Sequence, residues 1–175
     1  GPRQILTGVN SYAMSIGKAP LFKIQLAGIT KETPLINGMY TISSEVVIDD
    51  IKKTDLVIIP AVDGDFKNAI EQNKAFMPWI VKQYKGGAEV ASLCVGAFIL
   101  AATGLLNGRK AATHWVAANE FRKMFPEVNL MAEKVITDER GLYSSGGAYS
   151  YLNLVLYLIE KYAGRDMAIL NAKVF

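Results

Sequence analysis

The sequence predicts a three-layer α/β sandwich with a mainly parallel β-sheet. Two short apolar runs, Leu56–Ile59 and residues 90–93, indicate strands buried on both faces, which occur in parallel sheets covered by helices. Segments with helical spacing of apolar residues alternate with strand-like segments along the chain, as is typical of the α/β class. A length of 175 residues suits one domain, residues 1–175, with one core. We expect the two apolar runs to be neighbouring central strands.

The first part of the chain predicts a helix followed by extended segments. Pro2 is favoured in the first turn of a helix, and the apolar residues from Ile5 to Tyr12 follow at helical spacing. The alternating residues 21–26 predict a strand. Turn residues, including the pair Asn37 and Gly38, are concentrated in the segment that follows. Further extended pieces are predicted at residues 39–43 and 45–48.

The remainder predicts helices and short strands in alternation. Helices are predicted at residues 68–84, 96–102, 115–125, 148–162 and 166–175. Pro78 is expected to mark a break or a restart in the first of these, because proline disrupts a helix interior. Residues 111–113 predict a brief strand. Residues 134–137 and Leu142–Ser145 flank a turn containing Gly141 and predict a β-hairpin.

Composition and charge exclude several classes of protein. Hydrophobic residues make up 51% and charged residues 20% of the chain, which is ordinary for a globular domain rather than a disordered one. The net charge is +3 and no run of five like charges occurs, so no nucleic-acid surface is predicted. No apolar stretch is long enough for a membrane span and no signal peptide is recognised, so we expect a cytoplasmic protein. One cysteine and one histidine argue against a disulfide framework and a metal site, and no cofactor is expected.

Cys94 lies at the position of greatest chemical interest. It stands between the strand predicted at 90–93 and the helix predicted at 96–102, and this strand–Cys–x–Gly–helix layout is typical of a nucleophile elbow. Gly96 would let the chain turn without a Cβ clash, so we expect a strained backbone at Cys94. The start of the helix would favour a thiolate. The alternative is an inert buried cysteine.

The partners of Cys94 are less clearly indicated. His114 follows the strand predicted at 111–113, and the carboxyl ends of parallel strands face a common crevice, so His114 could approach Cys94. It could equally hydrogen-bond only a neighbouring loop. Asp63 and Asp65 follow Leu56–Ile59 and are the candidate carboxylates, although Asp is also favoured in such turns for conformational reasons alone.

Residues 91–115 resemble a known family signature. They contain a Cys-x-Gly-Ala-Phe elbow, a Gly-Leu-Leu-x-Gly-Arg turn, and a strand ending in Thr-His-Trp. This region is similar to the AraC-linked branch of the ThiJ/PfpI superfamily, the GlxA-like regulators, whose domains are also called class I glutamine amidotransferase-like. The likeness continues through residues 135–138, 143–147 and 152–163, and Gly1-Pro2 is similar to the Gly-Pro that follows the family's first strand.

The resemblance implies a flavodoxin-like fold and a role in transcription regulation. In that branch the α/β domain senses a small effector and dimerises, and AraC-type helix-turn-helix motifs follow it. DNA binding would therefore belong to a C-terminal domain beyond Phe175, and the partners expected are a second copy of the chain and an unidentified small molecule. A first strand would precede Gly1, unless Gly1-Pro2 is a cleavage scar.

Enzymes of the same superfamily imply an alternative to the regulatory role. This alternative is cysteine-dependent amidase, deglycase or hydratase chemistry on a small substrate. Two departures from the enzyme pattern argue against it. Val95 stands where peptidase-like members have a histidine, and Asp63 occupies the loop where oxyanion donors would be needed. No catalytic residue is therefore expected, although Cys94 is the candidate nucleophile with His114 as its partner. The predicted ligand-binding residues are Asp63, Cys94, Val95, His114, Trp115, Gly147 and Ala148.

Overall fold

The N-terminal helix predicted from the position of Pro2 is present. The computed structural model describes residues 1–35 and 38–174, and helix α1 spans Pro2–Ser15 with Gly1 as its N-cap. Proline is tolerated at this first helical position because its missing N–H would have no partner within the helix. The helix buries one face, formed by Ile5, Leu6, Val9 and Ala13.

The other elements alternate much as the sequence predicts. The strands are β1 Ala27–Gly28, β2 Glu32–Leu35, β3 Tyr40–Ser43, β4 Val46–Val47, β5 Leu56–Ile59, β6 Glu89–Ser92, β7 Lys110–Ala111, β8 Asn129–Leu130, β9 Ile136–Asp138 and β10 Leu142–Ser145. The further helices are α2 Phe66–Gln72, α3 Phe76–Lys85, α4 Ala97–Ala102, α5 Ala118–Met124, α6 Ser150–Ala163 and α7 Arg165–Val174. Single 3-10 turns occupy Ile48–Asp50, Cys94–Gly96 and Trp115–Ala117.

A four-stranded sheet forms the centre of the molecule, in the order β5–β6–β10–β9. The first three strands are parallel, and β9 joins β10 as an antiparallel edge strand. Separate two-stranded pairs are formed by β1 with β4, β7 with β8 and β2 with β3. The register aligns Ile59 of β5 and Ser144 of β10 with Ser92 of β6, which lies between them. The carboxyl ends of the three parallel strands therefore lie side by side at the same end of the sheet.

Helices cover both faces of this sheet and confirm the predicted sandwich. On one face Val90 packs with Phe98 of α4 and Phe121 of α5, while on the other Ala91 packs with Leu154 and Leu158 of α6. A further apolar cluster joins α1 to α6 and α7. Because successive strand residues alternate between the two faces, both faces of β5 and β6 need apolar side chains. The continuous apolar runs in the sequence have this cause.

The prediction that both apolar runs form central strands is wrong for one of them. Strands β5 and β6 are neighbours and β6 lies inside the sheet, but β5 lies at its edge. Within residues 1–35 and 38–174 no strand pairs with the outer edge of β5. An apolar pattern reports that helices cover a strand's faces, and it carries no information about hydrogen-bonding partners at the strand's edges.

The strand predicted at residues 21–26 is also absent, and the ladder begins after it, at Ala27–Gly28. The side chain of Asn10 takes the place of a neighbouring strand. Its Oδ1 accepts from the N–H groups of Leu21 and Phe22, both at 2.9 Å, and its Nδ2 donates to the Phe22 carbonyl at 2.7 Å. The start of this segment is therefore bound by a helix side chain, which no strand pattern could predict.

Of the break or restart predicted at Pro78, the structure shows a restart. The chain leaves its helical course at residues 73–75, and Pro78 lies in the first turn of α3, where a proline does little harm. The predicted hairpin of β9 and β10 is confirmed, with Arg140 and Gly141 at positive φ in its turn. The predicted turn at Asn37 and the last residue of the predicted C-terminal helix, Phe175, lie outside the described residues.

A cluster of hydrogen-bonded polar side chains lies at the amino end of β6. The Glu89 carboxylate accepts hydrogen bonds from Tyr143 at 2.9 Å, from Lys161 at 2.6 Å and from Tyr162. Burial by itself raises the pKa of Glu89, but the hydrogen bonds from Lys161, Tyr162 and Tyr143 together outweigh it, so the net pKa is lowered. The carboxylate therefore links β6 to β10 and to the end of α6.

We expect Glu89→Gln to lower the free energy of unfolding by about 1 kcal/mol at pH 7, since this charge-assisted cluster is only partly buried. A lowered folded-state pKa means that the stabilisation is present above the ordinary Glu pKa of about 4.3 and is lost as the pH falls through the folded value. Urea unfolding at pH 7 and pH 3.5 should therefore show the difference shrinking at the lower pH. The exposed Glu133→Gln is the control, and a difference that does not depend on pH would contradict the assignment.

Candidate functional site

Cys94 lies on a strained turn between β6 and α4, as predicted. Its φ is +54°, in the left-handed region that residues other than glycine rarely adopt. Leu93 before it is extended, and the turn Cys94–Gly96 leads directly into α4. Such strain persists only where the surroundings hold it. The structure therefore confirms a nucleophile-elbow geometry at this position.

Gly96 holds the elbow close to the end of β5. A Cβ built at this residue would lie 2.4 Å from the Pro60 carbonyl oxygen and 2.9 Å from that of Ile59. Both atoms belong to backbone, so neither can move aside without disturbing the strand. The role predicted for Gly96 thus has a specific cause, which is close packing of the turn against the neighbouring strand end.

Two hydroxyl side chains hold the backbone of Cys94. Its N–H donates to Ser145 Oγ at 3.2 Å, and its carbonyl accepts from Thr113 Oγ1 at 3.3 Å. Both residues are fully buried, Ser145 at the end of β10 and Thr113 just after β7. The carboxyl ends of β5, β6, β7 and β10 therefore converge on the elbow.

Ser145 and Thr113 are not among the residues predicted from the sequence, although their residue type and position could have indicated them. Each is a hydroxyl residue at the end of a short strand, and buried hydroxyls need hydrogen-bond partners. A second layer repeats the pattern, since Ser144 Oγ accepts from the Ala112 N–H at 2.6 Å and pairs with Thr137 Oγ1 at 2.6 Å. These hydroxyls connect β10 to the elbow and to the segment that follows β7.

The Cys94 thiol is half-buried and is held in its neutral form. Burial raises the pKa of the thiol, and the hydrogen bond from the Val95 N–H offsets this only in part. The expectation that the helix start favours a thiolate is therefore wrong for the net effect. Desolvation is the largest influence on this pKa, and Cys94 begins a 3-10 turn rather than the six-residue helix α4 itself.

His114 is engaged by its own loop. Its Nδ1 accepts from the Val116 N–H at 3.3 Å and so caps the turn Trp115–Ala117, and its ring stacks on Trp115 with centroids 5.9 Å apart. The hydrogen bonds found among the described residues do not join His114 to Cys94. Because Nδ1 accepts, a neutral ring would carry its proton on Nε2.

The two aspartates after β5 behave as turn residues. Asp63 is exposed, and its Oδ1 accepts from the adjacent Gly64 N–H at 2.8 Å. Asp65 is the N-cap of α2 and accepts from the Asn68 N–H at 2.8 Å. Val95 is half-buried and packs against the core, so its side chain brings no polar group to the elbow.

The remaining predicted residues lie on the loops around this edge of the sheet. Gly147 is half-buried and Ala148 is exposed in the short connection from β10 to α6. Trp115, in the loop after β7, has 70% of its surface exposed. Tyr149, which the sequence analysis did not select, is 81% exposed and adjoins Ala148. Large aromatic surfaces are therefore displayed beside the strand ends that hold Cys94.

Other concavities lie away from the elbow. One, of about 640 Å³, is lined by residues that include Lys110, Arg122 and Met131, and another, of about 260 Å³, is lined by residues that include Asp49, Trp79 and Lys82. Neither contains a predicted site residue. No cluster of three His, Cys, Asp or Glu side chains suited to a metal ion occurs within residues 1–35 and 38–174. In the same ranges no helix has the length and apolar character needed to cross a bilayer.

Comparison with known proteins connects this architecture to one family. A sequence profile of the DJ-1/PfpI family matches residues 12–161. The HTH-type transcriptional regulator CdhR of Pseudomonas aeruginosa is 30% identical over 139 residues, which are 79% of this chain and 40% of that protein. An isonitrile hydratase of Pseudomonas putida is 26% identical over 122 residues, 69% of this chain and 50% of that enzyme. The chain thus spans half or less of the length of these two relatives.

A solved structure extends the likeness to the whole fold. The crystal structure of a candidate transcriptional regulator from Vibrio parahaemolyticus superposes with a TM-score of 0.84 at 24% sequence identity. The superposition covers 99% of this chain and 88% of that one. At this level of identity the agreement establishes the fold.

Gly96→Ala should destabilise the elbow. The added methyl would overlap the Pro60 carbonyl, and overpacking against immobile backbone costs about 1–3 kcal/mol. Gly147→Ala is the control, because its methyl would meet only the movable Ser150 hydroxyl, at 2.9 Å. Thermal and urea unfolding compare the two variants, and equal stabilities would contradict the close packing described above.

Alkylation should report a protonated thiol at Cys94. Since this is the one cysteine of the chain, iodoacetamide labelling followed by mass spectrometry reads it without interference. We expect labelling at pH 7 to be slower in the folded protein than in urea. Its rate should rise with an apparent pKa above the ordinary thiol value of about 8.5. Rapid labelling at pH 6 would instead indicate a stabilised thiolate, and Cys94→Ser gives the blank.

Proposed function

The chain belongs to the DJ-1/PfpI family, and on that premise we propose that it is the effector-sensing and dimerising domain of an AraC-type transcriptional regulator. In this proposal a small molecule binds the crevice at the strand ends around Cys94. Binding of this molecule controls sequence-specific DNA binding by helices outside residues 1–175. No cofactor or metal takes part.

The relation to a named regulator supports the transcriptional part of the proposal. CdhR carries the designation HTH-type regulator, and this chain matches 40% of its length. The unmatched part of that relative leaves room for a separate DNA-binding region. The even scatter of charge in the present sequence is consistent with DNA contact being made elsewhere.

The residues around Cys94 favour ligand sensing over catalysis. Acyl or carbonyl chemistry needs an activated nucleophile, a base held beside it and donors aimed at the developing oxyanion. Here burial raises the pKa of the Cys94 thiol, the Nδ1 of His114 is occupied by Val116, and Val95 supplies no proton acceptor. A rigid elbow with an unactivated thiol suits a ligand contact better than a nucleophile.

The surroundings of the elbow define the proposed binding residues. Cys94 and Val95 would form the floor, and His114 with Trp115 would form one wall. Gly147 and Ala148 would border the opposite loop, and Asp63 would supply the negative charge. Trp115 offers a large flat apolar surface to an effector, and aromatic groups commonly contribute much of a ligand's contact area.

The proposal also includes segments beyond both ends of the sequence. Because no strand of the described residues pairs with the outer edge of β5, this edge supports a strand that precedes Gly1 and completes the sheet. A helix-turn-helix region would follow Phe175. The coding sequence on either side of this chain tests both parts directly, because the upstream part should encode an apolar strand and the downstream part a helical DNA-binding pattern.

A cysteine-dependent enzyme is the second candidate, and one observation favours it. An isonitrile hydratase is 26% identical to this chain over 122 residues. A panel of isocyanide, amide, ester and α-oxoaldehyde substrates tests this candidate. Turnover near 1 s⁻¹, at the low end of typical enzymes, that disappears in Cys94→Ser would reverse the choice.

The regulator proposal is tested with the full-length gene product and a reporter driven by its own promoter region. Ala148→Trp places a bulky side chain at the border of the crevice. It should reduce the effector-dependent change in transcription about tenfold or more, equivalent to about 1.4 kcal/mol of binding, and leave promoter binding without effector unchanged. Gel-shift and reporter assays separate these two readouts.

Ala172→Trp, at an exposed position on α7, is the matched control and should behave as wild type. A full-length product that does not bind its promoter DNA would contradict the regulatory role. A product that binds DNA and responds equally in both variants would contradict the placement of the effector at the elbow.

A further inference from the structure

The groove of about 640 Å³ described above borders strand β8, Asn129–Leu130. It is lined by Lys110 of β7, by Arg122 and Phe125 at the end of α5, and by residues 128–131. None of the residues around Cys94 contributes to its lining. A molecule bound in this groove would therefore be bound separately from the effector.

Strand β8 lies on the outer side of β7. The Ala112 N–H, directly after β7, donates to Ser144 Oγ of β10, so that side of the β7 segment faces the central sheet. Within residues 1–35 and 38–174, β8 pairs with β7 and with no other strand. Its second edge therefore has no neighbouring strand in these ranges.

The hydrogen bonds to β7 show which backbone groups of β8 face outward. The Asn129 N–H donates to the Arg109 carbonyl at 2.9 Å. The Met131 N–H donates to the Ala111 carbonyl at 2.8 Å. Successive residues of a strand direct their backbone groups to opposite sides, so the N–H and the carbonyl of Leu130 point away from β7. Leu130 also lines the groove, and its backbone therefore offers a donor and an acceptor to an extended chain there.

The edge of β8 is short, but it carries neither the charge nor the proline with which proteins often protect an edge strand. Residues 129–131 are Asn, Leu and Met. Phe125 and Leu130 are half-buried and pack against the core, so each leaves part of its apolar surface in the groove. Peptides that add a strand to a sheet edge use this combination, since main-chain hydrogen bonds provide affinity and apolar contacts provide specificity.

The charged side chains of the groove are both cationic. Lys110 and Arg122 line it, and no Asp or Glu does. Within residues 1–35 and 38–174 the ion pairs involve neither of these two cations. Arg122 reaches only the neutral Asn119 Oδ1, at 3.4 Å. An occupant with acidic side chains would supply the opposite charge, and such complementarity favours one class of partner over others.

We propose that this groove binds an extended, acidic peptide segment of another protein, which adds a strand along the outer edge of β8. The backbone of that segment pairs with Leu130, and its acidic side chains lie beside Lys110 and Arg122. Nucleic acid fits less well, because a phosphate can accept from the Leu130 N–H but has no donor for the Leu130 carbonyl. The proposal goes beyond the proposed function and does not depend on it, since the groove and the elbow share no residue.

Fluorescence anisotropy with the purified chain tests the proposal. The probe is an amidated heptapeptide of alternating valine and glutamate that carries fluorescein at its amino end. It should bind saturably, with a dissociation constant below about 1 mM. N-methylation of its three central residues removes backbone donors, and glutamine in place of glutamate removes the charge. Each of these changes should weaken binding about tenfold or more.

Two sets of protein variants locate the peptide. Lys110→Gln with Arg122→Gln should weaken binding about tenfold at low salt and reduce its salt dependence. The matched control, Lys67→Gln with Lys123→Gln, removes the same charge at exposed positions outside the groove and should leave binding unchanged. Leu130→Pro removes the outward N–H without removing a bond to β7, and proline is tolerated at sheet edges, so binding should fall about fivefold or more.

Amide hydrogen exchange gives a readout that needs no variant. The Leu130 N–H should exchange more slowly when the peptide is bound, whereas the Met131 N–H, already bonded to β7, should change little. Failure of the probe to bind, or equal binding of the N-methylated peptide, would refute strand addition at β8. Equal weakening in the two double variants would show an effect of net charge alone and refute the groove. Displacement of the peptide by a random-sequence DNA duplex from the wild type, but not from the control peptide's residual sites, would assign the groove to nucleic acid and overturn the proposal.

Discussion

The close approach of the Cys94 turn to the end of β5 is the constraint on which the rest of the site depends. Gly96 leaves no room for a Cβ beside the Pro60 carbonyl, so β5, the turn and α4 must pack as one unit. Ser145 and Thr113 then hold both backbone groups of Cys94 from strands on the other side. The positive φ at Cys94 is maintained because several strand ends fix it at once.

Burial in this frame raises the pKa of the Cys94 thiol. An elbow raises a side chain out of the sheet, but the protonation state of a thiol depends on desolvation and on nearby charge. Around Cys94 desolvation is the largest influence on the pKa, and the only histidine of the chain caps its own loop. The same backbone geometry can therefore serve a binding protein or an enzyme. The side chains that line the elbow decide between these uses, which fits the occurrence of both regulators and an isonitrile hydratase among the similar proteins.

The polar interactions that stabilise the sheet and those that surround the elbow lie at opposite ends of β6. At the amino end of β6, Glu89 ties two strands and a helix together through charged hydrogen bonds. At the carboxyl end, neutral hydroxyls make the connections and the aromatic side chains of Trp115 and Tyr149 remain exposed. Substitutions around the elbow can therefore leave the charged cluster at the other end of the sheet intact.

Local patterns in the sequence determined the layers, the elbow and the hairpin of β9 and β10, because periodicity and glycine spacing act over a few residues. Tertiary structure alone decided that β5 lies at an edge, that Asn10 binds the backbone of Leu21 and Phe22, and that Ser145 binds the backbone of Cys94 from 51 positions away. It also decided the pKa of Cys94, where the sequence indicated a thiolate. Edge pairing, long-range hydrogen bonds and desolvation all depend on which distant segments meet, and a residue's own neighbours in the chain do not carry that information.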